Sequence, residues 1–132
     1  MVTEALREFM RNPTGSDSRA VGRIFGFGGI PKDIVDRAKS ASGLLAEGED
    51  QDARELFRGA AFQGRLAFET SVQDDGARVG LGMVTLILYV HAHQAAIAKD
   101  FGQRLLADMS VPPDDKARIS RQLDFLNQHP EW

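Results

Sequence analysis

Residues Val79–Ala98, VGLGMVTLILYVHAHQAAIA, are twenty consecutive positions without a charge, set between Arg78 and the Lys99–Asp100 pair. Three structures can hold such a run. A membrane span needs ~20 predominantly apolar residues, but this stretch contains Thr85, His91, His93 and Gln94, which hydrocarbon penalises. Four alanines and two glycines dilute it further, and no second apolar run accompanies it. A strand could use Val84–Val90, VTLILYV, which is rich in β-formers. Its flanks have helical patterning, however, and no other β-rich run offers a partner. The remaining structure is a helix. Leu81, Val84, Leu88, His91, Ala95 and Ala98 recur on one helical face, with Met83, Ile87, Val90, Ile97 and Phe101 adjoining. A helix apolar nearly all round belongs in a protein core, so the stretch is expected to be a buried central helix. Continued from Ala77 to Met109 it would be ~50 Å long, longer than the ~35–40 Å width of a compact domain of this size. A break or a late start is therefore expected near Gly80 and Gly82, or near Gly102.

Outward from this stretch the pattern stays helical. On its C-terminal side Met109–Pro113 interrupts the chain with a double proline, and Pro113–Gln128 follows with the stripe Ile119, Leu123 and Leu126. Asp114 and Asp115 suit its first turn, and His129–Pro130 ends it. On the N-terminal side Gln73–Gly76 reads as a turn. Before it, a helix capped by Asp50 or Asp52 runs to about Val72 with Ala53, Phe57, Ala60, Gly64, Ala67 and Phe68 on its main face. Another helix, Pro31–Glu47, carries Ile34, Ala38, Ala41 and Leu45 in register. Proline suits its first position and Gly48 its stop. The short connection makes the two antiparallel neighbours. Near the start of the chain, Thr3–Arg11 and Ser18–Phe25 have helical spacing, separated from Pro31 by the loop Gly26–Ile30. The expected fold is all-α: one compact domain over residues 1–132, with five or six helices forming helical hairpins around a buried central helix.

Within Arg37–Phe68, the residues Leu44, Gly48, Ala53, Phe57 and Ala60 are spaced like the helical hairpin of a tetratricopeptide repeat, where small and aromatic residues let the second helix pack closely on the first. The resemblance covers one repeat. The aromatic and the glycine that the family has early in the first helix are replaced by Arg37 and Ala41, and the proline after the second helix is missing. The resemblance implies a partner-binding helical scaffold and transfers no functional residue.

Composition removes several chemistries. The apolar fraction of 42% and charged fraction of 27% are those of a globular chain. A net charge of −3 lacks the basic footprint of a nucleic-acid binder. Residues 41–76 hold three of the basic and eight of the acidic side chains, mostly in Glu47–Glu55, where acids complement a helix start. There is no cysteine, so thiol catalysis, zinc–thiolate sites and disulfides are excluded. The opening MVTEALREFMR has acids and no apolar core segment, unlike a signal peptide, and a cytoplasmic protein is the expectation.

Two sets of residues remain as candidate sites. Phe62 lies ~180° around its helix from the Ala53–Gly64 face, with Leu66 beside it, Gly59 one turn earlier, and Arg58 and Glu69 close to the same stripe. A helix with two apolar sides either buries both inside the monomer or offers one to another chain. Arg58, Phe62, Leu66 and Glu69 are thus candidate partner-binding residues, the partner being another protein or a second copy. The other set is Arg23, Gly26, Gly28, Gly29 and Lys32 with His91 and His93. Glycines before a helix can present N–H groups to an anion, and His-x-His can ligate or transfer protons, although on a helix the two rings diverge. No nucleotide-binding glycine pattern, nucleophile elbow or zinc spacing occurs. The paired acids Asp74–Asp75 and Asp114–Asp115 are explained by helix starts. No catalytic residue, metal or cofactor is assigned. The functional expectation is a non-enzymatic protein–protein interaction module, such as an adaptor, a small chaperone or an immunity-type inhibitor. The alternative is a small helical enzyme or ligand-binding protein using His91, His93 and the Gly26–Gly29 loop.

Overall fold

A computed structural model describes residues 31–70 and 75–129. The helices expected at Thr3–Arg11 and Ser18–Phe25, and the glycine loop Gly26–Ile30, lie outside the described residues. Those described are all-α, without a strand. They form α1 (Lys32–Ala46), α2 (Asp50–Thr70), α3 (Asp75–His91), α4 (Ala95–Ala107) and α5 (Pro113–Gln128), packed as consecutive hairpins.

Helix α1 buries Ile34, Ala38, Ala41 and Ser42, one stripe at helical spacing. The Ser42 hydroxyl donates to the Ala38 carbonyl at 3.0 Å, which removes an unpaired polar group from that face. Gly48 ends the helix with φ +81°. The Gly48 N–H bonds the Leu45 carbonyl and the Glu49 N–H bonds the Leu44 carbonyl, the pair of bonds that defines a Schellman stop. The chain then reverses into α2, whose buried face is Ala53, Phe57, Ala60, Ala61, Gly64 and Phe68.

Helix α3 starts at Asp75, so Gly76 belongs to the helix and not to a turn. Every residue from Val79 to Ala92 is buried, as a helix without a polar face requires. The Thr85 hydroxyl donates to the Leu81 carbonyl at 2.8 Å.

The expected break is present, but the glycines do not make it. Residues 92–94 separate α3 from α4, and His93 takes φ +58°. The His93 N–H bonds the Val90 carbonyl and the Gln94 N–H bonds the Tyr89 carbonyl, at 3.1 Å each. This is a second Schellman stop, with histidine at the left-handed position normally filled by glycine. Gly82 and Gly102 lie within helices because neighbouring helices come too close for a side chain. A β-carbon at 82 would lie 2.7 Å from the Phe68 ring, and one at 102 would lie 2.7 Å from Leu123 on α5.

The far end of the bundle is tied by Asp108 in the loop after α4. Its Oδ2 accepts from Arg78 Nη1 at 2.6 Å, and its Oδ1 accepts from the Ser110 hydroxyl and N–H at 2.7 and 2.9 Å. The Arg78 guanidinium also lies 4.1 Å from the Phe68 ring centre, a cation–π contact. Through these contacts one arginine links α2, α3 and the α4–α5 loop. No helix of the described residues is long and apolar enough to cross a membrane.

Candidate functional site

The second apolar side of α2 faces solvent. Phe62 is 59% exposed and Leu66 47% exposed. Both lie on the helix face away from Gly64, which packs against Thr85. Beside Phe62 a groove of about 380 Å³ opens between α2 and the α3–α4 corner. Helix α2 lines it with Glu55, Arg58, Gly59 and Phe62, and the corner contributes Tyr89, Gln94 and Ile97. Ile97 is 37% exposed. Phe62 and Ile97 at this recess, and Leu66 one turn along α2 from Phe62, are therefore left partly in water, each forgoing part of the ~1.5–3 kcal/mol that full burial provides.

The groove's position follows from the His93 stop. A continuous helix would keep Ile97 in phase with Val90 and Phe101. The turn at residues 92–94 breaks the register with Val90, and within α4 the residues Ala98, Phe101, Gly102 and Leu105 face the core while Ile97 sits at the edge of that face, partly exposed. Tyr89 remains buried at the groove floor, its ring 6.2 Å from that of Phe101.

Charges around the patch pair with one another. Arg58 bonds Glu55 at 2.5 Å, and Arg65 bonds Glu69 at 3.0 Å. Arg104 lies 3.9 Å from Glu69 and 3.4 Å from Asp100. The Glu69 carboxylate raises the Arg65 pKa above its ordinary value, with a smaller contribution from the Tyr89 hydroxyl. The rim thus carries three arginines and three acids, and no single-sign field.

Arg58, Phe62, Leu66 and Glu69, expected to share a stripe, are all on the solvent side of α2. Gly59, Tyr89, Gln94 and Ile97 complete the recess. Gly59 is legible beside Phe62 in the sequence; Gln94 and Ile97 are not, because they follow the turn at His93, and Tyr89 is not, because its place at the recess depends on how α3 packs on α2.

The residues of the alternative set are not gathered among the described residues. Arg23, Gly26, Gly28 and Gly29 lie outside them, and Lys32 is exposed at the start of α1. His91 is sealed in the core with its ring 5.4 Å from that of Phe57. Burial, together with the neighbouring charge of His93, pushes its pKa down to about 4, so it is neutral near pH 7. His93 is partly exposed in the turn. No group of three or more His, Asp or Glu side chains among the described residues is placed to hold a metal ion.

No family model matches this chain, and no curated protein or solved structure is significantly similar to it.

Proposed function

We propose that this chain is a non-enzymatic protein–protein interaction module that seats a short apolar helix of a different protein against Phe62, Leu66 and Ile97. The observation that carries the proposal is Phe62, more than half exposed at the mouth of a groove on a helix whose other side is fully packed. Exposed aromatic and aliphatic side chains beside a recess are the anchors of helix-in-groove recognition. The rim's paired charges leave apolar contact as the source of affinity. The size of the patch favours a narrow occupant: three side chains and one groove fall well below the ~800 Å² per partner of a stable globular interface. This argues for a helix edge over the broad face of a second copy. The α1–α2 hairpin, with its tetratricopeptide-like spacing, would be the rigid support, and the role would be that of an adaptor, small chaperone or immunity-type inhibitor.

The test is a photo-crosslinking amino acid placed at position 62 in cells of the source organism, with a control at exposed Gln128. A protein crosslinked from position 62 alone is then purified and titrated against wild type and the Phe62→Ser/Leu66→Ser variant. The proposal expects at least a tenfold loss of affinity in the variant while it stays folded, with a melting temperature lowered by no more than about 10 °C. Equal affinity for both, or crosslinks from 62 and 128 to the same proteins, would overturn it. A crosslinked homodimer would replace the foreign helix with a second copy.

A further inference from the structure

We draw no further inference here: the strongest candidate, the side-chain cluster of Asp115, Arg118 and Gln122 along α5, has buried polar atoms on all three residues, but nothing among the described residues shows what faces it.

Discussion

Gly64 of α2 is set directly against Thr85 of α3: a β-carbon at position 64 would lie 2.5 Å from the Thr85 hydroxyl oxygen. Thr85 cannot swing away cheaply. It is β-branched, fully buried and bonded to the Leu81 carbonyl. Gly64→Leu should therefore lower stability by about 1–3 kcal/mol through overpacking. Gly43 is the internal comparison. It is exposed within α1, and a β-carbon there meets nothing within 4 Å. Gly43→Ala should raise stability by about 0.5–1 kcal/mol through helix propensity alone. Urea unfolding of the two variants checks both signs, and a Gly64→Leu protein as stable as wild type would contradict the close packing.

The His93 stop gives a second pair of variants. A left-handed residue with a β-carbon is strained by ~1–2 kcal/mol, and most strained when β-branched. His93→Gly should keep the turn and hold or improve stability. His93→Val should cost about 1–2 kcal/mol relative to the glycine variant. The melting temperatures of the two proteins decide it: if valine matches glycine, the turn does not hold position 93 at positive φ.

Stability should also depend on pH through two groups with opposite charge chemistry. His91 titrates near 4 when folded, against an ordinary value of 6.5. Between those values the unfolded chain binds a proton that the folded chain does not, so lowering the pH from about 6.5 to 4 removes up to about 3 kcal/mol. Unfolding followed at pH 7 and pH 5 should show this loss in wild type and a smaller one in His91→Leu. Equal pH slopes would mean that His91 is solvated. Asp108 is held down to about 2, chiefly by its bond from Arg78 and then by that from Ser110. Its stabilisation is complete above the unfolded carboxylate value, ~3.9, and is lost as pH falls through about 2. The pair is partly open to solvent, so its contribution is roughly 1–2 kcal/mol, below the full shift. Asp108→Asn should lose that amount at pH 7 and almost nothing against wild type near pH 2.

The outcome at each break shows which physical signals a sequence carries. Gly48 stops α1 and Pro113 opens α5 by backbone chemistry that any context preserves, and both stand where the sequence places them. Gly82 and Gly102 have the same composition signal with another cause: tertiary packing, visible only once Phe68 and Leu123 are opposite them. The true stop, His93, has no sequence signal of comparable strength. Glycine is the usual left-handed residue, and the twenty uncharged positions hide the end of α3. The second apolar side of α2 was legible from the ~180° offset of Phe62, but whether another element covers that side depends on the assembled bundle. Ile97 was out of reach for both reasons, since its direction depends on the turn before it and its exposure on the neighbours of α2.

The exposed patch gives the last expectation, a test of stability independent of any partner. Phe62 and Leu66 already spend much of their surface in water, so removing them forfeits little burial. Serine is a weaker helix former than leucine by a few tenths of a kcal/mol, and the Arg58–Glu55 and Arg65–Glu69 pairs stay in place. The Phe62→Ser/Leu66→Ser protein should therefore unfold within about 2 kcal/mol of wild type. Phe57 is the control one and a half turns earlier on the same helix. It is fully buried against His91, and Phe57→Ala should cost about 3–5 kcal/mol by opening a cavity. Chemical denaturation of the three proteins separates the faces of α2. If the double serine variant loses several kcal/mol, Phe62 and Leu66 are core residues, and the surface on which the partner helix would sit does not exist.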